Sequence, residues 1–377
     1  ARVSAELLEV NPADVYLSFL PLNHVLERVV HLSMLHAGAV IHYSQGLDQL
    51  EQEFRRVRPT IVVGVPRLYE KILLEIEQKA RARGPRGLLL LRLAERAARR
   101  SGRLAPGRRP GGLAGGLWNL LVYRRVRGAL GGRVRCLVSG GAPLGRREAL
   151  FLNGAGLPVL EGYGLTETAS VLSLNTVKNW RLGSVGKPMP GIEVAIAEDG
   201  EILVRGPSVM AGYRNGASGD NDTGSSRICD GWLYTGDLGR LDAEGFLYIT
   251  ERKKDLIATT QGKMVAPQAV EACLRRSPLV REAVVVGDRR PYITALIFPE
   301  LDRLRALSGL LLAPNGDLEK SLNAPKVRTL IQQEMDLHCA DLAPHERVRR
   351  FALLPEAPNV GNGEMTASLK IRREKVA

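Results

Sequence analysis

The sequence predicts an α/β protein: a large N-terminal α/β domain that carries a β-rich subdomain, followed by a small α+β domain. Three observations predict it. Over residues 15–161, short β-branched runs alternate with amphipathic helical stretches, the pattern of a parallel sheet whose strands are joined by helices. From about Gly183 the texture changes to short strand patterns at 193–197, 201–205 and 245–250, separated by glycine turns. After Arg252 a helical pattern at 267–275 and strands at 282–287 and 292–298 form a compact unit that ends in polar helices. The boundary falls near 251–255, which gives domains 1–250 and 251–377.

Each element has a local cause. Residues 15–43 read as a strand, an exposed LPLNH turn, a helix that stops at Gly38, and a second apolar strand. Residues 48–56 are charged and helical. Residues 60–65 are a β-branched run stopped by Pro66, hence a buried strand. An amphipathic helix over 67–83 is broken by Gly84-Pro85. Arg-rich helices over 86–130 are interrupted by a Gly/Pro loop at 105–116. A strand at 134–139 then enters the turn Gly140-Gly141-Ala142-Pro143, and a helix leads to a strand at 158–161.

Composition excludes several classes. The chain has 377 residues, 45% apolar and 25% charged, and no internal repeat, which is neither collagen-like nor disordered. No apolar run approaches the roughly 18 residues of a membrane span, and the N-terminus has no charged-then-apolar signal pattern. Four cysteines lie far apart without CxxC spacing, which argues against a disulfide scaffold or zinc site and fits a reducing, cytoplasmic setting. The net charge of +13 is uneven: residues 81–150 hold 17 Arg and two acids, so that segment carries +15 and the rest about −2. A nucleic-acid binder would spread its basic charge differently, and no nucleic-acid partner is expected.

Four motifs carry the chemistry. The string LEGYGLTETAS (160–170) offers an aromatic face, flexible backbone, a hydroxyl and a carboxylate, the parts needed to stack a purine, approach phosphate and hold Mg²⁺. Its bland alternative is a glycine-rich turn with a capping threonine. In YTGD (234–237), a carboxylate at a strand end can accept hydrogen bonds from both ribose hydroxyls. Arg252, fifteen residues on, can reach the same sugar with its rigid fork. RKKDLIATTQGKMVAPQAVE (252–271) and GNGEMTASLKIRR (361–373) complete the set, the last placing Lys370 in a loop before a short helix.

In this order the motifs resemble the AMP-forming acyl-CoA synthetases of the adenylate-forming superfamily, most closely bacterial long-chain fatty-acid–CoA ligases. YLSFLPLNHVLER, PTIVVGVPRLYEKI, VSGGAPL and GSVGKPMPG support the resemblance. It implies ATP-dependent activation of a long-chain fatty acid to acyl-AMP and then acyl-CoA, with ATP and coenzyme A as substrates and Mg²⁺ as cofactor. By resemblance, Gly140, Gly141 and Ala142 form the adenine-side turn. Glu161, Gly162, Tyr163 and Gly164 belong to the nucleotide segment, with Tyr163 stacking on adenine. Thr166 contacts the α-phosphate, Glu167 binds Mg²⁺, and Asp237 and Arg252 hold the ribose. Lys370 acts in the first step, Lys254 is the hinge of a mobile small domain, and Gly262 and His24 lie along the thiol and acyl passage. The other five histidines read as structural.

The resemblance further implies that a phosphate loop belongs upstream of residue 1, so that the large domain is incomplete and activity of this chain alone is in doubt. Two other readings follow: an acyl-AMP ligase or adenylation domain that loads a carrier protein, and a nucleotide-binding pseudoenzyme or non-catalytic fragment. The basic segment 81–150 is expected to form an exposed face that meets an anionic membrane peripherally.

Overall fold

A computed structural model describes residues 1–46, 48–213, 228–308, 318–359, 361–365 and 371–376. The chain divides into two compact units, Ala1–Thr250 and Glu251–Ala377.

The first unit is built on a seven-stranded sheet. Its strands are β1 (Val15–Ser18), β2 (Val40–Tyr43), β3 (Ile61–Gly64), β4 (Cys136–Ser139), β5 (Val159–Leu165), β6 (Ser170–Leu174) and β7 (Lys187–Pro188), in the order β2-β1-β3-β4-β5-β6-β7. The pairs from β2 to β5 are parallel, and β6 and β7 add on antiparallel. β3 and β4 are buried along their whole length, as strands covered on both faces must be.

Alternation sorts their side chains onto two cores. Leu17, Val62, Leu137 and Val159 face one, while Tyr16, Ile61, Val63 and Val138 face the other. Short α1 (Arg2–Leu7) and α2 (Val25–His36) cover the second core. The first core is covered by α3 (Leu50–Val57), α4 (Pro66–Arg81), α5 (Pro85–Ser101) and α8 (Arg146–Gly154). Between α5 and α8, α6 (Gly112–Trp118) runs through a π-helical turn, Asn119–Tyr123, into α7 (Arg124–Ala129).

Buried polar groups tie these layers at fixed points. Glu27 of α2 is fully buried and accepts hydrogen bonds from Tyr16 Oη (2.7 Å) and Ser18 Oγ (2.6 Å), so α2 is pinned to β1. Asp14 accepts two bonds of 2.8 Å from the Arg135 fork and one of 2.6 Å from Thr60 Oγ1, joining the amino ends of β1, β3 and β4.

Most arginines of residues 81–150 are exposed, as the charge count anticipates. Arg127, Arg135 and Arg147 are not part of that face. They turn inward to backbone and side-chain oxygens, Arg147 reaching Glu95 at 2.6 Å. Beneath the basic surface, α3, α4, α5 and residues 121–130 enclose a cavity of about 490 Å³. Its walls are Phe54, Leu68, Ile72, Ile76, Leu91 and Val126, with charged side chains at the rim.

A second sheet follows, of β8 (Glu193–Ile196), β9 (Glu201–Arg205), β10 (Ile228–Cys229) and β11 (Trp232–Leu241) in the order β10-β11-β9-β8, with β12 (Leu247–Arg252) paired to β11. β11 is bulged. Between the pairs Tyr234–Leu203 and Leu238–Glu201 it spends three residues where β9 spends one.

The second unit has a hairpin of β13 (Ile257–Ala258) and β14 (Met264–Val265), and a three-stranded sheet of β15 (Val280–Val286), β16 (Thr294–Pro299) and β17 (Arg350–Leu353). With them go α9 (Pro267–Leu274), α10 (Leu301–Ser308), α11 (Leu318–Leu322), α12 (Pro325–His338) and α13 (Arg373–Val376). Its own apolar core joins α9, α12 and the sheet. Glu271 of α9 is buried and takes the Arg373 fork at 2.6 and 2.7 Å, which fastens α13 to the core.

One element differs from the sequence reading. The strand expected to stop at 161 continues to Leu165, because β5 leaves its parallel partner at Glu161 and pairs antiparallel with β6. Gly164 permits this: a Cβ there would fall 1.3 Å from the Ser170 carbonyl oxygen. At the crossover Glu161 is half-buried, and burial pushes its carboxyl up to about 7 although the Leu144 N–H donates to it. Between pH 4.5 and 7 the folded protein therefore keeps a proton that the unfolded chain has lost. Stability falls as pH rises through that window and levels off above it. Glu161→Gln removes this slope: urea denaturation should find the variant more stable than the parent at pH 8, by on the order of 2 kcal/mol, and nearly equal at pH 5. Parallel stability–pH curves would refute a carboxyl that folding protonates.

Candidate functional site

In a parallel sheet each strand leaves by its carboxyl end, and ligands bind in the crevice outside that edge where the strand order reverses. Here β2 lies on one side of β1 and β3 on the other, so the reversal is at β1. The LPLNH segment follows Ser18 there. The GVPR segment follows β3, the Gly140-Gly141-Ala142 turn follows β4, and the Gly-Tyr-Gly segment lies in β5. The sheet thus gathers along one edge residues that the sequence separates by well over a hundred positions.

The turn after β4 is shaped by its glycines. Gly140 N–H donates to the Gly64 carbonyl at 3.2 Å, and Gly141 has φ +81°, where a side chain would be strained. Gly141 and Ala142 are exposed on the edge. Ser139 is paired in register with Glu161, and its buried hydroxyl has no hydrogen-bond partner among the described residues. A buried donor of that kind on a binding edge suits a ligand acceptor.

Tyr163 points from β5 towards the second sheet. Its hydroxyl donates to Asp237 Oδ2 at 2.5 Å, so two motifs 74 positions apart meet. Asp237 does not stand at a strand end as the sequence suggested; it lies in the β11 bulge. Thr235 Oγ1 donates to the Ile202 carbonyl at 2.8 Å, and Gly236 N–H donates to Glu201 at 2.8 Å. These bonds hold the bulge, and with it a carboxylate only 7% exposed.

Thr166 and Glu167 sit in a single 3₁₀ turn, Thr166–Thr168, rather than at the start of an α-helix. The Thr166 side chain is exposed, while Thr168 folds back on Leu165. The two residues that close the turn, Ala169 (φ +51°) and Ser170 (φ +84°), are left-handed without being glycine. Such strain of about 1–3 kcal/mol per residue collects at functional sites. Glu167 Oε1 accepts from Tyr213 Oη at 2.6 Å, and the Glu167 carbonyl accepts from Met210 N–H at 2.8 Å. Tyr213 was missed by sequence reasoning; its signal is the GPSVMAGY string that folds back over the turn.

The donor set fits Mg²⁺, a hard cation that takes one or two carboxylates and completes its shell with water and substrate phosphate oxygens. Glu167 and the neighbouring Thr166 hydroxyl supply that kind of ligand. Among the described residues no group of three or more His, Cys, Asp or Glu forms a cage that would demand another metal.

The remaining candidates are placed as follows. His24 caps α2: its Nδ1 accepts from Leu26 N–H at 3.2 Å, so this atom has a structural duty. Arg252 ends β12 in the second unit. Lys254 lies in the 3₁₀ turn Lys253–Asp255, with its side chain outside the described atoms. Gly262 has φ +71° at the exposed tip of the β13–β14 hairpin, where its N–H donates to the Thr259 carbonyl. Lys370 lies outside the described residues; Met365 and Ile371 on either side form an antiparallel bridge.

The family profile described as "AMP-binding enzyme" matches residues 1–214, and that described as "AMP-binding enzyme C-terminal domain" matches 254–377. The chain is 39% identical over 371 residues to long-chain-fatty-acid–CoA ligase FadD15 of Mycobacterium bovis, covering 96% of this chain and 60% of that protein. It is 32% identical to long-chain-fatty-acid–CoA ligase 1 of Homo sapiens, covering 100% of this chain and 55% of that protein. The chain thus spans a little over half the length of these relatives. Among solved structures, o-succinylbenzoate CoA synthetase of Bacillus subtilis in complex with the acyl-adenylate OSB-AMP has a TM-score of 0.66 at 24% identity, over 99% of this chain and 63% of that one. The A-PCP didomain of carboxylic acid reductase from Segniliparus rugosus in complex with AMP has a TM-score of 0.70 at 21% identity, over 96% and 46%. These structures share the fold, with its larger α/β domain and smaller C-terminal domain, and the sequence matches carry the assignment further: the chain belongs to the AMP-binding enzyme family and groups there with the adenylate-forming acyl-CoA synthetases.

Proposed function

We propose that the chain is the greater part of an ATP-dependent long-chain fatty-acid–CoA ligase. In this reading residues 1–250 are the remainder of its large domain and residues 251–377 its small one. The observation that carries it is the meeting of Tyr163 with Asp237 beside the Gly140–Ala142 turn, which puts an aromatic face and a buried carboxylate acceptor on one crevice. A nucleoside needs that pair: a ring to stack on and a charged acceptor for its ribose hydroxyls.

The chemistry has two transfers. A fatty carboxylate oxygen attacks the α-phosphorus of ATP, the bond to the β-phosphate oxygen breaks, and pyrophosphate leaves. The thiol of coenzyme A then attacks the acyl carbon and AMP leaves. No side chain acts as a nucleophile; the protein orients the reactants and meets the developing charge. Asp237 and Arg252 hold the ribose, and Thr166 donates to the α-phosphate. Lys370 neutralises charge in the first transfer. Mg²⁺ on Glu167 would supply further neutralisation of the phosphates. Glu161, Gly162 and Gly164 keep the Tyr163 backbone in place. By the family resemblance, Lys254 is the hinge of the small domain, and Gly262 and His24 serve the second transfer and the acyl and thiol passage.

In this reading the acyl chain takes the apolar cavity of the first unit. The apolar cavity between α3, α4 and α5 has the volume of a ligand pocket, typically about 300–1,000 Å³. Its wall residue Leu68 packs against Gly64, whose carbonyl holds the Gly140 turn, so the cavity adjoins the binding edge. Above it, α5 exposes Leu89, Leu90 and Leu93 beside Arg86, Arg92 and Arg96, a surface suited to an anionic bilayer that contains fatty acid.

Three measurements test the reading. Asp237→Ala should weaken AMP binding by about ten- to a hundredfold in calorimetry, the value of roughly 1.5–3 kcal/mol for a charge-assisted hydrogen bond, with the circular dichroism spectrum unchanged. Unaltered affinity would remove Asp237 from the ribose site. Ile72→Trp, which fills the cavity, should cost palmitate at least tenfold in displacement of a fluorescent fatty acid while sparing octanoate, since each methylene left in water costs about 0.8 kcal/mol. Equal losses for both acids would place the chain elsewhere. In co-sedimentation, vesicles rich in phosphatidylserine should retain the protein at low salt and release it at high salt, and neutral vesicles should not retain it. Equal retention by both vesicle types would exclude the basic surface as a lipid contact.

A further inference from the structure

Tyr213 touches the carboxylate assigned to Mg²⁺. Its hydroxyl donates to Glu167 Oε1 at 2.6 Å, across 46 positions of sequence. The GPSVMAGY string (206–213) brings it there after the chain leaves β9 at Arg205. Val209 packs into the apolar cluster of the second sheet together with Leu172 of β6, which anchors the string close to the 3₁₀ turn. Met210 N–H then donates to the Glu167 carbonyl at 2.8 Å, so the two backbones are joined before the side chains meet. Gly212 takes φ +143°, a backbone that side chains disfavour, and the next residue is the tyrosine.

Glu167 is thereby set from three directions. Thr168, fully buried, ties the turn from within by accepting from Leu165 N–H at 3.0 Å and donating to the Leu165 carbonyl at 3.1 Å. Met210 holds the backbone of Glu167 and Tyr213 its side chain. Tyr213 is 47% exposed, so the carboxylate is oriented at a surface open to a phosphate and its cation rather than sealed in the core. An uncharged donor orients a carboxylate without cancelling the charge that draws a cation to it, as a guanidinium would.

We propose that Tyr213 is a positioning residue for the metal: by holding Glu167 Oε1 it presents the carboxylate to the cation through one oxygen, and so favours Mg²⁺ over Ca²⁺ in the nucleotide complex. This rests on the reading of Glu167 as the carboxylate that binds the metal. Mg²⁺ demands near-ideal octahedral geometry, which the narrow bite of a two-toothed carboxylate distorts, whereas Ca²⁺ accepts carboxylates in either mode. Removing the hydrogen-bond partner of a ligating group typically costs about ten- to a hundredfold in metal affinity.

Calorimetry of ATP binding to the full chain, in EDTA, in Mg²⁺ and in Ca²⁺, reads this role without turnover. In the parent chain Mg²⁺ should raise ATP affinity over EDTA more than Ca²⁺ does. In Tyr213→Phe the affinity in EDTA should be unchanged, the gain from Mg²⁺ should fall by about tenfold, and the gain from Ca²⁺ should persist, so that the preference narrows. Glu167→Gln should abolish the gain from Mg²⁺, and adding Tyr213→Phe to it should change nothing further, because Tyr213 acts through that carboxylate. An undiminished Mg²⁺ gain in Tyr213→Phe would overturn the proposal and leave Glu167 as the metal carboxylate. A parent chain without a Mg²⁺ gain, or Glu167→Gln that keeps one, would remove both together. Affinity already lost in EDTA, or additive losses in the double variant, would make Tyr213 a support of the fold or the nucleotide and would likewise overturn it. Tyr213→Leu, which also lacks the donor, serves where Tyr213→Phe does not fold.

Discussion

A parallel sheet can connect its strands only by going back over a face, so every strand delivers its chain to the same edge. That constraint orders the first unit. Ser18, Gly64, Ser139 and Glu161 end the parallel portions of their strands side by side, and the segments that follow them have nowhere else to gather. The helices that return the chain are also the ones that wall the apolar cavity, and a wall residue, Leu68, lies against Gly64 at the end of β3. The second sheet adds a single well-defined contact, the phenol of Tyr163 on the carboxylate of Asp237.

How much of this was legible depended on range. Residues 60–65 announced a buried strand through a β-branched run and a terminal proline, and 134–139 through an apolar run before a glycine pair; both are local signals and both strands are there. The stop of β5 was misjudged because its continuation depends on a partner, β6, and on the close approach of Gly164 to Ser170, which no local pattern encodes. The motifs identified which residues could bind a nucleotide. They did not say that Tyr163 and Asp237 touch, that Tyr213 holds Glu167, or that His24 spends a ring nitrogen on a helix cap.

The site is also where local rules are broken. Ala169 and Ser170 take left-handed backbone in succession, the Ser139 hydroxyl is buried with no partner among the described residues, and burial raises the Glu161 carboxyl. Two buried carboxylates away from that edge are satisfied: Glu27 has two hydroxyl donors, and Asp14 has a guanidinium fork and a threonine.

The bulge in β11 bears on how such a protein can change over generations. Its excess over β9 is two residues, an even number, so Leu233, Thr235 and Asp237 all keep their inward parity across the irregularity. Losing one residue there would invert every later side chain of the strand and carry Asp237 to the outer face, whereas losing two would restore a regular ladder without the projecting carboxylate. Length variation between positions 234 and 238 is therefore closed to descent by single steps. Substitutions can drift around this stretch, but in any lineage that keeps the carboxylate its residue count should stay frozen.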